Sequence, residues 1–197
     1  METQNLDRQP QLKSAPRRKI LKSTKKHELI LRAALECFSN QGLAKTNLAD
    51  IAKASGISSS HILYHFKNND EIFESLILAM FKEAQNRSKE YSKKASTKTE
   101  KLEAYVHAMF DWLFSNKNYQ RLLLQFYSES FYNSNLKALR QKIHQGALDY
   151  FELLLADKNK ARAAQNLLTG ALIEFSADHI HDVKIRNTAL EFIKKLL

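Results

Sequence analysis

The stretch from Lys45 to Phe73, KTNLADIAKASGISSSHILYHFKNNDEIF, constrains the fold more than any other. Thr46 and Asn47 are both good helix N-caps, and Asn47 with Asp50 has the spacing of a capping-box variant. Leu48, Ile51 and Ala52 give the helix that follows a buried side, and the periodicity predicts its end near Ala54. Gly56 is the turn residue, free to take a positive φ where a β-carbon would be strained. Ile57 plugs the turn and Ser58 caps a second short helix, in which Ile62 and Phe66 stand four apart and face inward. Asn68 with Glu71 then marks the start of a third, longer helix. Two short helices joined through one glycine, and followed at once by another helix, belong to a helical bundle.

The rest of the chain keeps to that class. Four glycines and two prolines, both prolines within the first sixteen residues, leave too little turn chemistry for a sheet, so the fold is expected to be all-α. A helix is predicted from Ser23 or Thr24 to about Gln41. Ile30, Ala33, Ala34, Cys37 and Phe38 form its apolar face, and Gly42 is its C-terminal glycine. Cys37, the one cysteine, reads as a packing residue and cannot form an internal disulfide. Downstream, helices are predicted from Asn68 to about Lys94, then over about Lys101 to Ser115, Tyr119 to Phe131, Asn135 to Leu155, Asn159 to His179 and Val183 to Leu197.

Charge is unevenly placed in this chain of net charge +10. Between Arg8 and Lys26 there are eight basic residues and no acidic one, whereas residues 31 to 72 balance four Lys/Arg against four Asp/Glu. The N-terminal arm is therefore the part expected to attract an acidic polymer without regard to sequence. Residues 1 to 22 are expected to be disordered without a partner.

The run from Ile30 to Phe73 resembles the DNA-binding domain of the TetR (tetracycline-repressor-type) family of bacterial regulators. The residues that carry the resemblance are Ile30, Ala33-Ala34, Cys37-Phe38 and Gly42, then Thr46, Asp50-Ile51-Ala52, Ala54 and Gly56-Ile57-Ser58, and finally Tyr64-His65-Phe66-Lys67-Asn68. They cover about a quarter of the chain, and spacing and residue type agree across three helices and two turns. The resemblance implies three parts: a basic arm at 1–22, a helix-turn-helix DNA-binding domain at 23–72, and a helical regulatory and dimerisation domain at 73–197.

On that reading the DNA contacts are expected from Arg17, Arg18, Lys19 and Lys22 of the arm. Phosphate clamps would come from Thr46, Tyr64, His65 and Lys67, since hydroxyl, imidazole and ammonium donors at helix ends fix register on a duplex. Base edges would be met by Ser59, Ser60 and His61 near the N-terminus of the recognition helix, with Ser58 as cap or reader. The chain also departs from the family pattern. Ser60 and His61 replace a small Gly and a Thr or Ala, Leu63 takes the first of two usual aromatic positions, and Asn69 stands where a phosphate-binding Lys is frequent. Leu63 and Asn69 each remove a phosphate contact, which the arm is expected to offset, and the operator should differ from the commonest family sequences.

The family's second half holds a ligand pocket and a dimer surface. Trp112, Phe126 and His144 are the candidates for the pocket. The dimer surface is expected on the last two helices, from Ala164, Leu167, Leu168, Ala171, Leu172 and Phe175 on one and Leu190, Ile193, Leu196 and Leu197 on the other, with Gly170 permitting close approach. The partners implied are a palindromic double-stranded DNA operator, a second copy of the chain and a small apolar or amphipathic effector.

Other chemistries find little support. There is no glycine-rich phosphate loop, nucleophile elbow or zinc-protease helix motif, so no catalytic residue is expected. His179 and His181, two apart beside Glu174, satisfy no tetrahedral metal spacing, and neither a metal nor another cofactor is expected. No apolar run approaches a membrane span, and the N-terminus lacks an apolar leader core, so a cytoplasmic location and no membrane partner are expected. The leading expectation is a dimeric repressor released by its effector. The alternative is a helical adaptor of the same fold, acting through protein or acidic-surface binding with weak DNA binding.

Overall fold

The computed structural model describes residues 20–178 and 183–197, with side chains described over 25–177 and 183–197. Among them the backbone forms nine α-helices and no strand: α1 Ile20–Gln41, α2 Leu48–Ser55, α3 Ser59–His65, α4 Asn69–Ser92, α5 Lys98–Phe114, α6 Lys117–Glu129, α7 Ser134–Leu155, α8 Lys158–Asp178 and α9 Val183–Lys194. The all-α expectation holds, and each predicted helix is present within a few residues of its expected ends. The exception in position is α1, which begins at Ile20 rather than at Ser23 or Thr24. Leu21 and Lys22 are good helix formers and extend the helix past the two hydroxyl residues. Lys22 therefore stands on α1 rather than in a disordered arm, while Arg17, Arg18 and Lys19 lie outside the described residues.

The first three helices and the start of α4 enclose a small core. Ile30, Ala34 and Phe38 of α1, Ile51 of α2, Ile62 of α3 and Phe66 after it are all buried. Phe38 meets Phe73 of α4 edge-on at 5.3 Å between ring centroids, which joins this core to the helix that leaves it. Cys37 packs against the same cluster. Burial first, and then the Asp50 and Glu36 carboxylates, push its thiol pKa up, so it is not a thiolate.

α4 has 24 residues, a span of about 36 Å at 1.5 Å per residue, and carries the chain from the small core into the larger one. Its later turns lie along α5. There Asp111 joins three helices: its carboxylate accepts from Tyr91 of α4 at 2.8 Å and pairs with Arg186 of α9 at 3.1 Å, and its carbonyl accepts from Arg87 of α4 at 2.7 Å. Phe110, Trp112, Leu122, Phe126, Phe151 and Leu154 fill the centre of this half.

α8 corrects the expected dimer surface. Leu168, Phe175 and, on α9, Ile193 are 4%, 3% and 0% exposed within a single chain, and Ala164 is fully buried. Phe175 is held between Phe110 and Phe114, at 5.6 and 5.4 Å. α8 is covered by α6, α7 and α9 on different sides, so its apolar residues do not all belong to one outward face. Leu172 turns toward a cavity described below. What remains outside is a shallow groove between α8 and α9, bordered by Leu167, Gly170 and Ala171 with Ile185 and Thr188. Leu190 and Leu196 are half-buried, Leu197 is exposed, and Val183 and Phe192 add exposed apolar surface that the periodicity does not single out. His179 and His181 lie outside the described residues. Among those described, no helix is long and apolar enough to cross a membrane.

Candidate nucleic-acid interface and core cavity

The helix-turn-helix is built by local hydrogen bonds that the sequence announces. Asn47 Oδ1 accepts from the Asp50 amide at 3.0 Å, and Asp50 Oδ2 accepts from the Asn47 amide at 2.9 Å, a complete capping box. Gln41 at the end of α1 donates to the same Asp50 carboxylate at 3.0 Å. Gly56 takes φ 67° and turns the chain into α3. Ser58 holds the N-cap position of α3 without a side-chain cap bond; its hydroxyl is 3.2 Å from that of Ser60. Asn68 caps α4 by accepting from the Glu71 amide at 2.9 Å.

With Ile62 and Phe66 buried, α3 presents its other side outward. Ser60 and Lys67 are exposed, Leu63 is half-exposed and Tyr64 is 81% exposed. Ser59, His61 and His65 are partly covered. The rings of His61, Tyr64 and His65 cluster, His61 to His65 at 5.6 Å and Tyr64 edge-on to His65 at 5.3 Å. Lys26 of α1 reaches this face, with Nζ 3.2 Å from His61 Nε2. His27 lies against Phe66 at 4.8 Å. Burial, and then the proximity of His65, lower the His27 pKa against a smaller opposing pull from Glu28. Neither Lys26 nor His27 belongs to the contacts expected from sequence; the signal for them is their place at the end of the basic run, one helical turn before the buried Ile30.

One expected feature turns out differently. Thr46 is buried at 4% exposure, and its hydroxyl donates to the Gly42 carbonyl at 2.7 Å, so it ties a turn together and is not presented as a phosphate clamp. Asn69 donates its amide to the Thr46 carbonyl. The residue in place of the usual Lys thus pins the start of α4 to the loop before α2.

A cavity of about 320 Å³ lies in the larger half, between α4, α5, α6, α7 and α8. Phe81, Tyr105, Trp112, Tyr127, Tyr150 and His144 are among the residues that wall it. Trp112 and His144 are on its border, and Leu172 joins them. Phe126 is not: it stands behind the wall, against Phe81 at 6.1 Å and Tyr127 at 5.9 Å. Tyr105, Tyr127 and Tyr150 are visible in the sequence only as ordinary core aromatics. Tyr127 and His144 share a hydrogen bond of 2.7 Å, and Gln165 donates to the His144 carbonyl at 2.8 Å. Burial, and then the nearby Arg140 guanidinium, lower the His144 pKa, so the ring is neutral at pH 7. Burial pushes the Tyr127 phenol up to about 12.

α6 stands between cavity and helix-turn-helix. Leu123 and Tyr127 face the cavity, while Gln125 donates to the Phe38 carbonyl at 2.8 Å and Arg121 reaches Asn40 at 3.4 Å, both on α1. Among the described residues no cluster of three or more His, Cys, Asp or Glu is placed to hold a metal.

These features agree with comparisons to known proteins. Residues 30–76 match the family model of bacterial regulatory proteins, tetR family. The chain is similar to the HTH-type transcriptional regulator AcrR of Shigella flexneri, 42% identical over 53 residues that make up 27% of this chain and 24% of that protein. It is also similar to the fatty acid metabolism regulator protein of Bacillus subtilis, 30% identical over 129 residues, 66% of this chain and 64% of that one. The matched segments span less than two thirds of either relative. Among solved structures, the transcriptional regulator FadR of Bacillus subtilis, in complex with stearoyl-CoA, has the same fold at a TM-score of 0.71, with 22% identity over 87% of this chain and 99% of that one. The capped and glycine-turned helices and the family model over them place residues 30–76 as a DNA-binding domain of the tetR family of bacterial regulatory proteins.

Proposed function

We propose that this chain is a sequence-specific DNA-binding transcriptional regulator, a homodimeric repressor that a small apolar or amphipathic ligand releases from a palindromic operator. The observation that carries the reading is the outward face of α3, where Ser60, His61 and Tyr64 stand together, with Lys67 just past the helix end, on a helix joined through Gly56 to the capped α2. A helix so presented enters a major groove with its N-terminal residues at the base edges. Ser59, Ser60 and His61 read bases, and Tyr64, His65, Lys67 and Lys26 hold phosphates, with the arm adding attraction along the duplex. Residues 23–72 act as the reader and 73–197 as the regulatory half.

The outer groove of α8 and α9, with Leu167, Gly170, Ala171, Phe192 and Leu197, supports pairing of two copies. The cavity behind α6, and the stearoyl-CoA held by the Bacillus subtilis FadR, support an effector in this half. The decisive test is retardation of the palindromic site nearest the chain's own gene, in the presence of excess unrelated DNA. Specific retardation, abolished by Tyr64→Ala together with His61→Ala, is expected; equal retention on unrelated DNA would overturn the reading. Removing residues 1–19 should flatten the dependence of log affinity on log salt by roughly 0.9 per phosphate that the arm neutralises.

A further inference from the structure

We infer that Lys26 is a positioning residue for base reading: from α1 it fixes which ring nitrogen of His61 carries the proton, and so makes His61 a donor to an acceptor on a base edge. The inference rests on the DNA-binding reading above and adds the atom that reads.

It begins with the donor inventory. Lys26 Nζ stands 3.2 Å from His61 Nε2. An ammonium has three N–H donors and no lone pair, so in this contact the ring nitrogen accepts. Nε2 is then the unprotonated nitrogen, and the proton of the neutral ring sits on Nδ1. A histidine takes its tautomer from the hydrogen bond made by its other nitrogen, here one that reaches across 35 positions of sequence.

Little competes with that contact. Among the described residues the His61 ring has no second hydrogen bond; its other partners are the rings of His65 at 5.6 Å and Tyr64 at 6.3 Å. Lys26 is exposed and has no ion-pair partner among the described residues, so His61 is the group it holds.

The place of His61 gives the contact its consequence. It is the third residue of α3, after two serines, and the Ser60 hydroxyl is 3.2 Å from that of Ser58. His61 is thus the longest side chain in the first turn of the helix, where a recognition helix meets base edges. A fixed N–H there suits guanine N7 or O6, adenine N7 or thymine O4, and finds no partner in the amino group of cytosine. The two N–H groups that Lys26 keeps free are available to a phosphate oxygen, so one residue serves both kinds of contact.

Two measurements on the full-length protein test this. The first needs no DNA. Nitrogen-15 NMR of the imidazole rings at about pH 7.5, above the ordinary histidine value, should show the Nδ1–H tautomer of His61 in the wild type, with His61→Ala assigning the signal. In Lys26→Met that tautomer should no longer dominate. The second measurement sequences the sites that each protein selects from random duplexes. At one position the wild type should favour an acceptor-bearing base over cytosine about tenfold, the range of one hydrogen bond. In Lys26→Met that preference should fall to within about twofold while the other positions keep theirs. Lys26→Arg, whose side chain also only donates, should retain it. In a His61→Ala background, Lys26→Met should lower affinity equally for all sequences, as loss of a phosphate contact does. Unchanged melting temperatures verify that the variants fold. The inference is overturned if the Nε2–H tautomer predominates in the wild type, if Lys26→Met leaves the base preference intact, or if it weakens every position alike. Selection of no sequence by the wild type overturns the DNA-binding reading itself, and this inference with it.

Discussion

The reader and the regulatory half are both helical bundles of ordinary apolar residues, yet they solve packing in opposite ways. The reader fills a small core with side chains from neighbouring turns, Ile30, Phe38, Ile51, Ile62 and Phe66, and fixes its helix ends by short-range caps. The regulatory half gathers larger side chains from five helices and leaves about 320 Å³ unfilled among them. The difference separates two requirements. A surface that must meet a duplex in one register needs every neighbour in contact. On the proposed function, a half that admits a ligand needs walls and a vacancy, and is tied together elsewhere, through junctions such as Asp111 between α4, α5 and α9.

The contrast can be broken most directly by truncation. Phe38→Ala, at the junction of α1 and α4, should cost about 3–5 kcal/mol in urea unfolding. Leu172→Ala, bordering the cavity, should cost only about 1 kcal/mol, because atoms facing a void have few neighbours to lose. Equal losses would mean that the cavity is closed in solution and that the two halves are packed alike.

Backbone conformation gives a test of opposite signs. Gly56 ends α2 at φ 67°, and Ala156 ends α7 at φ 55°, so the same left-handed cap is made by glycine in one half and by a residue with a β-carbon in the other. Gly56→Ala should destabilise, and Ala156→Gly should stabilise, each by about 1 kcal/mol in thermal or urea unfolding. Smaller effects are expected at the caps. Asn47→Ala removes a bonded cap and should cost about 1 kcal/mol, while Ser58→Ala should stay within about 0.5 kcal/mol, because the Ser58 hydroxyl bonds Ser60 and not the backbone.

The last difference is in proton linkage. His27 in the reader and His144 beside the cavity both have pKa values lowered by burial, so in each case the unfolded chain binds the proton more readily than the folded one. Their stability contribution is complete above the unfolded value near 6.5 and is lost as pH falls toward the folded value. Melting followed from pH 7.5 to 5 should show a decline that His27→Gln and His144→Gln each reduce. A ligand held next to His144 should shield that residue and leave the His27 share unchanged.

Legibility followed the same division. Asn47, Asp50, Gly56, Asn68 and the Ile62–Phe66 pair act within a few residues of themselves, so type and spacing revealed their helices and turns. The cavity has no such signature, because Phe81, Tyr105, Tyr127 and Tyr150 meet only after four helices have been placed. Leu168, Phe175 and Ile193 have the periodicity of an outer stripe and lie inside, since α8 is covered on several sides and an apolar side chain does not state which neighbour it faces. Thr46 has the chemistry of a phosphate ligand, and only the fold reveals that its hydroxyl already donates to the Gly42 carbonyl.

α6 has a mechanical consequence. One of its faces walls the cavity, and the other grips α1 through Gln125 on the Phe38 carbonyl and Arg121 on Asn40. It thus touches both halves of the chain. The amide of Asn69, fastened to the Thr46 carbonyl, removes the play between α4 and the loop before α2. On the proposed function, a displacement of α6 by a bound ligand would reach the reader through α1 and turn it together with the loop that Asn69 fastens.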